Sequence, residues 1–545
     1  MRHLGYTALA LALLWQWDFL ASRTTDGNPM KYLTSRFALL LATIPALTVA
    51  APAPPEDSAI ITNVSIIDGT GAAARTGAVR IADGRIVAVG DLAPGKLEIV
   101  IDGGGRTLAP GFIDTHSHHD HDLPKSADMI AATSQGVTTI IVGQDGTSRS
   151  PLSEFYSTLE KTPTAVNIGS YSGHNTLRAK GMAAARRPAT AEEIARMSKL
   201  LEQDMAAGAF GLSTGLLYET GNFSTPAEVM ALAKVSARLG GRYISHIRNE
   251  GFELLPSLQE VIEIGRQTGA PVQVSHLKVG VKKLWGTSDK VLKLLDDARA
   301  SGVDITADIY PYTYWQSTMR VLFPNKEYDD RKGLAFMFKE STPADGLYFA
   351  MYAPDPSIVG KTVAQVSKER GSDPVTVYLE LMQKALEYEK VHSVPAPQVE
   401  SVIGMSMRED DVTRMLAWEH ANICSDGMSI GHPRGHGAFT RVLGHYVREK
   451  QVMTLEKAVH KMSGLAAKHM GITDRGAIVP GAHADLVLFD PATVSDRSTL
   501  QNPTALSAGI EKVWVNGKLV YQERRSTGTR PGQVVRAGVA TEVAK

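Results

Sequence analysis

The sequence predicts an α/β fold: a TIM (β/α)8 barrel, a β-sandwich domain built from both termini, and an insertion between barrel strands seven and eight. Three observations predict it. Eight short, continuously apolar runs alternate with segments of helical spacing in the middle of the chain, as buried parallel strands and their crossover helices must. Short alternating strands with tight turns fill residues 59–108 and return at 476–525. Neither piece has enough strands for a stable sheet alone, so the economical reading is one domain made from both. Finally, about a hundred residues separate the last two apolar runs, far more than one βα connection takes.

The elements follow in chain order. Lys31 and Arg36 precede an apolar run over 37–49, then Ala50, Ala51 and Pro52. A basic start, a short apolar stretch and a small-residue cleavage site predict a signal peptide cut after Ala51. Residues 1–29 read as an upstream extension, with Met30 the natural start; the alternative is an uncleaved anchor. Secretion or a periplasmic location is therefore expected, with no membrane association after cleavage. In the sandwich, Asp68-Gly69 and Asp83-Gly84 between apolar runs are expected hairpin turns, and the same texture returns over 513–520 around Asn516-Gly517.

The barrel spans 109–475, with strands expected at 110–114, 138–143, 165–169, 209–213, 243–246, 272–276, 303–308 and 421–426. Thr190-Ala191-Glu192-Glu193 is a capping box opening a helix towards Ala207, and Thr225-Pro226-Ala227-Glu228 is a second, with proline at the first helical position. Residues 256–267 and 288–300 have helical spacing. The insertion, 318–405, contains helical stretches at 327–339 and 374–388 and reads as a lid over the barrel mouth.

Composition narrows the function. Lys+Arg and Asp+Glu are both 57, so the formal net charge is zero, and nothing suggests a nucleic-acid partner. Cys424 is the single cysteine, which excludes an intrachain disulfide and a cysteine zinc knuckle. A metal site must use histidine and carboxylate. His116 and His118 end the first barrel strand; residues two apart on a strand share a face, so both imidazoles can aim at one point. His119 and His121 follow, and alone the group could be a surface cluster. However, His246, His276 and Asp426 also end apolar runs, and the C-terminal strand ends of a TIM barrel meet at one face. Four imidazoles and a carboxylate suit zinc, as one or two divalent ions. Such a centre acidifies water and polarises a carbonyl. Asp426 can accept the water's proton and pass it to a leaving amine. The expected chemistry is hydrolysis of an amide or related C–N bond. Arg434, eight residues beyond Asp426, offers a planar fork for a carboxylate; Lys278 and Tyr310 can add a positive charge and a hydroxyl.

The ligand pattern, His-x-His on strand one, His on five and six and Asp on eight, resembles the amidohydrolase superfamily. A closer resemblance is to the D-aminoacylases, the N-acyl-D-amino-acid deacylases. It rests on Gly173-His174-Asn175-Thr176, Ser213-Thr214-Gly215-Leu216, Ser245-His246-Ile247-Arg248, Ser275-His276-Leu277-Lys278, Tyr310-Pro311-Tyr312, Ser425-Asp426-Gly427 and His432-Pro433-Arg434-Gly435. The resemblance implies that Arg434, Lys278 and Tyr310 hold the free α-carboxylate of a small substrate. One departure stands out. D-aminoacylases usually carry Asn-Cys-Gly after strand two, with the thiolate on the metal; this chain reads Gln144-Asp145-Gly146. Asp145 then becomes a candidate ligand, harder than a thiolate and altering metal preference, or else a loop residue forming an Asx turn. The reading is a metal-dependent hydrolase of N-acyl-amino acids, N-acyl-D-amino acids in particular. Two alternatives stay open: a dipeptidase or hydrolase of another carboxylate-bearing amide, and a periplasmic binding protein without turnover. The expected partner is a small molecule with a free carboxylate, and the reading is compatible with a homo-oligomer.

Overall fold

Eight parallel strands form the barrel: Phe112–Asp114, Val137–Val142, Asn167–Ser170 continued by Ser172–Gly173, Gly211–Gly215, Arg242–His246, Val272–Val274, Ile305–Ile309 and Ala421–Ile423. They are seen in a computed structural model that describes residues 58–538; the expected signal peptide and upstream extension lie outside those residues. Strands one to three and three to eight pair in chain order. Strand three is broken at Tyr171, so its first half serves strand two and its second half strand four. The ring joins at the top, where Asp426 N donates to His116 O at 2.8 Å and His118 N to Gly427 O at 3.0 Å.

Most strand bounds lie a few residues from expectation, and for two of them the physical reason is visible. Pro110 belongs to the sandwich strand Thr107–Pro110, which runs antiparallel to Leu486–Phe489. The chain enters the barrel at Gly111, where any side chain would collide with Thr138. Strand eight stops at Ile423 because Asp426 takes a left-handed backbone, φ 46°, that cannot continue a ladder.

The helices start where their caps dictate. The Thr190 box opens Ala191–Ala206, Thr225 caps Pro226–Arg238, and spacing alone locates Ser288–Ala300. In the insertion the helix expected from 327 begins later, as Arg331–Glu340, because Asp330 caps it through Gly333 N at 2.9 Å. The insertion has its own antiparallel sheet of Tyr314–Ser317, Glu400–Met405 and Leu347–Tyr352, so it begins four residues before the expected boundary. Helices Val363–Arg370 and Pro374–His392 cover a core that includes Phe323, Phe349, Tyr378 and Leu381.

The terminal domain draws on both ends of the chain. Its long first strand, Ala59–Ile66, is bulged between Ile61 and Val64; the first half pairs with Ile99–Asp102, the second with Thr107–Pro110. Such a bulge lets one strand serve two sheet layers. Asp83-Gly84 and Asn516-Gly517 all have positive φ, as two-residue hairpins require. Asp68-Gly69 makes no such turn: it lies in the longer loop between Ile66 and Arg75, where Asp68 accepts from Thr70 N, Thr70 Oγ1 and Arg75. The expected domain ended at 525, but the chain then returns to the barrel floor. Gly532 N donates to Thr164 O at 2.8 Å and Val535 N to Ile168 O at 2.9 Å. Val535 packs among Ile113, Ile141, Phe210 and Ile244 at the closed end. Among the described residues no helix is long and apolar enough to cross a membrane.

Candidate active site

The barrel mouth gathers six buried or nearly buried side chains into two groups that share one carboxylate. His116, His118, Asp145 and Asp426 form one group; Asp145, His246 and His276 form the other, and within each group the candidate ligand atoms lie within 4.8 Å of one another. Asp145 divides its oxygens between them. Oδ2 lies 3.5 Å from His116 Nε2 and 3.4 Å from His118 Nε2, while Oδ1 lies 3.3 Å from His276 Nε2 and 3.9 Å from His246 Nδ1. Asp426 Oδ1 completes the first group at 3.6 Å from His116 and 3.3 Å from His118. Asp145, His276 and Asp426 all have left-handed backbones, with φ of 52°, 34° and 46°.

These groups fit a divalent cation. His116 Nε2 and Asp145 Oδ1 are buried without a hydrogen-bond partner, which a folded protein tolerates where something else satisfies them. The donor set, four imidazoles with two carboxylates, is that of zinc and its neighbours. Electrostatics point the same way. Burial disfavours a charged Asp145, but His116 and His276 outweigh it and hold its pKa well below the usual range. Burial also disfavours a charged His118, yet Asp145 and Asp426 lift its pKa to about 9. The carboxylates demand positive charge.

Three supporting carboxylates surround the groups, Asp308 and Asp114 fully buried and Glu250 partly so, and sequence reasoning assigned none of them a role. Asp308, at the end of strand seven, accepts from His276 N at 2.6 Å and Gln273 Nε2 at 2.7 Å, and faces His116 Nδ1 at 3.5 Å. Asp114 accepts from Ser425 N and Oγ, tying strand one to strand eight; burial pushes its pKa to about 6. Glu250 lies 3.0 Å from His276 Nδ1 and 3.5 Å from His246 Nε2. The available signals were a carboxylate closing an apolar strand, for Asp308 and Asp114, and an acid four residues past His246.

The expected substrate contacts cluster about Tyr310, each with a qualification. Arg434 stacks over the Tyr310 ring at 4.5 Å, but one guanidinium nitrogen is on Asp426 Oδ2 at 2.7 Å. Lys278 Nζ lies 5.7 Å from the same ring and is matched by Glu250 Oε1 at 2.5 Å. The buried Tyr310 hydroxyl and Arg434 Nε have no partner. Tyr218 packs its ring 4.4 Å from that of His246. His174 is instead held 3.0 Å from Glu228, which also binds Arg178, and does not line the cleft. Cys424 is fully buried, its thiol donating to Asp308 Oδ1 at 3.2 Å.

Comparison with known proteins agrees with this geometry. Residues 99–521 match the amidohydrolase family. A D-aminoacylase and an N-acyl-D-glutamate deacylase of Alcaligenes xylosoxydans xylosoxydans are each 36% identical, over 86% of this chain and 96% and 95% of theirs. An N-acyl-D-aspartate deacylase from the same organism is 35% identical, over 90% of this chain and 97% of its own. Among solved structures, an N-acyl-D-glutamate deacylase from Bordetella bronchiseptica, complexed with zinc and a phosphonate mimic of the tetrahedral intermediate, superposes with TM-score 0.78 at 36% identity, covering 88% of this chain and 99% of that one. A D-aminoacylase with a binuclear metal centre superposes at 0.77 with 35% identity and the same coverage. These relatives support neither the dipeptidase nor the binding-protein alternative. The chain belongs to the amidohydrolase family, in its D-aminoacylase branch.

Proposed function

We propose that this protein hydrolyses the amide bond of N-acyl-amino acids, N-acyl-D-amino acids in particular, with zinc held at the barrel mouth. The observation that carries the reading is Asp145 lying between two groups of imidazoles, with Asp426 beside them and the unpartnered donors of Tyr310 and Arg434 near by. His116, His118, Asp145 and Asp426 would hold one ion; Asp145, His246 and His276 would hold a second. Zinc there supplies a Lewis acid for the acyl carbonyl and lowers the pKa of water.

The chain's own residues do the rest. Asp426 Oδ1 faces the centre, where it takes a proton from the attacking water and returns it to the departing nitrogen. Arg434 fixes the other Asp426 oxygen, so the base cannot rotate away. Arg434 Nε and the Tyr310 hydroxyl are free to donate to the substrate's carboxylate, and Lys278 adds positive charge beside them. Substrate thus spans from its carboxylate at Tyr310 to its acyl carbonyl at the centre.

The test is hydrolysis of paired N-acetyl-D- and N-acetyl-L-amino acids by zinc-replete protein, with metal content measured on the same sample. D-selective turnover is expected, and Asp426→Asn should lower kcat by about 1,000-fold. Undiminished turnover in that variant would sink the mechanism. We further propose export, supported by the basic and apolar pattern before Ala51; N-terminal sequencing of the mature protein should begin at Pro52.

A further inference from the structure

The site opens into a cleft whose two ends differ in chemistry. The inner end is charged, with Lys278, Arg434, Glu250 and Asp426. The outer wall is built from Leu217 and Phe252 on barrel loops and Trp315, Val321, Leu322 and Met337 of the insertion. Trp315 is fixed, its indole N–H donating to Ser406 Oγ at 2.7 Å. Several neutral polar groups on this wall are already engaged. Asn249 Oδ1 accepts from Gly251 N at 2.8 Å, Gln316 bridges Ser401 Oγ and His432 N at 2.9 and 3.0 Å, and Ser341 Oγ donates to Gly280 O at 3.1 Å.

Positive charge is confined to the inner end. Lys278 and Arg434 are the only cations among the lining residues, and both are matched by carboxylates there. Arg320, beside Val321 in sequence, turns instead to Glu219 and Glu389. A second substrate carboxylate on the outer wall would leave water and find no cation, a desolvation cost with nothing to offset it. An apolar group there would instead bury its surface.

Resting on the deacylase reading, we infer that this enzyme selects N-acyl-amino acids bearing an aliphatic or aromatic side chain and rejects acidic ones, with Leu217, Trp315 and Met337 as the selecting residues. Sequence identity does not decide this, since relatives acting on glutamate and aspartate derivatives stand at 36% and 35%.

The test compares kcat/KM of the zinc-loaded full chain for N-acetyl-D-leucine and N-acetyl-D-phenylalanine with that for N-acetyl-D-glutamate and N-acetyl-D-aspartate. The apolar pair should lead by about 100-fold. Met337→Arg, on the half-buried face of a rim helix, should narrow that gap by raising the acidic substrates; melting temperature and zinc content serve as folding controls. Equal or acidic preference, or an unchanged ratio in the variant, would overturn the inference. Should no N-acyl-amino acid turn over, the deacylase reading falls, and calorimetry of the same leucine and glutamate derivatives on zinc-loaded Asp426→Asn decides the subsite. Tighter leucine binding supports it; equal or absent binding overturns it.

Discussion

Asp308→Asn removes a charge from behind His116 at almost constant volume. The wild-type carboxylate is fully buried and serves four groups: His276 N at 2.6 Å, Gln273 Nε2 at 2.7 Å, Cys424 Sγ at 3.2 Å and His116 Nδ1 at 3.5 Å. An amide keeps one acceptor and presents an N–H₂ where the second oxygen stood. One of the two short, charge-assisted bonds is lost, which costs about 2–3 kcal/mol; a flip of the Gln273 amide offsets part of this. The effect on metal is separate. A carboxylate behind a histidine ligand fixes its tautomer and raises its basicity, and losing it costs about 10- to 100-fold in affinity, or about 1.4–2.7 kcal/mol. The assay is zinc competition against a chelator for wild type and variant, with melting of both metal-free forms in parallel. Weakened zinc binding beyond any change in melting is expected. Unchanged zinc affinity with a lowered melting temperature would refute the reasoning and make Asp308 a scaffold residue only.

Other outcomes follow from the same geometry. Asp145→Ala should bind less zinc per chain than wild type by elemental analysis. Asp145→Cys should retain zinc but become sensitive to thiol alkylation, to which the wild type, with only buried Cys424, is inert. Lys461 is buried, donates to Trp418 O and Ala421 O, and burial lowers its pKa to about 7. The unfolded chain holds that proton up to about pH 10.4, so stability should rise with pH between about 7 and 10, by as much as about 4–5 kcal/mol. Lys461→Met should flatten that rise in melting temperature, and an unaltered slope would assign it to other groups. Deleting residues beyond 531 removes the backbone bonds of Gly532, Gln533 and Val535 and the Val535 plug. That should cost about 4–5 kcal/mol and lower the melting temperature; an unchanged midpoint would show that the tail does not clasp the barrel.

The sequence carried the barrel and the convergence of His116, His118, His246, His276 and Asp426, because parallel strands bury continuous apolar runs and their C-terminal ends must meet. Pairings across the barrel were harder to read. Asp308 closes an apolar strand, but its role depends on His116 and His276 from strands that only folding brings alongside. Lys278 reads as an unengaged cation until Glu250, 28 residues earlier, is found against it. The insertion's first strand, Tyr314–Ser317, has no apolar run because all four residues are half-buried. The tail at 532–537 was missed for a related reason: its attachment is made mostly by backbone groups, which leave no side-chain pattern.

Strain at the mouth links this fold to its chemistry. Asp145, His276 and Asp426 each take left-handed backbones where their strands have ended, at a cost of about 1 kcal/mol or more per residue. A strand that continued would send alternate side chains into the barrel core and outward to the helices. The turn instead sets each side chain over the mouth, at the point shared with His116, His118 and His246. None of the three positions carries glycine, which would relieve the strain, because each must supply a ligand or base. The surrounding bonds hold them in place: His276 N on Asp308, Asp426 N on His116 O, and Gly146 N on Ser213 Oγ next to Asp145. Fixed backbone with unsatisfied imidazole and carboxylate atoms pointing inward is costly for an isolated fold. It is what a site needs if a cation is to bind without further rearrangement.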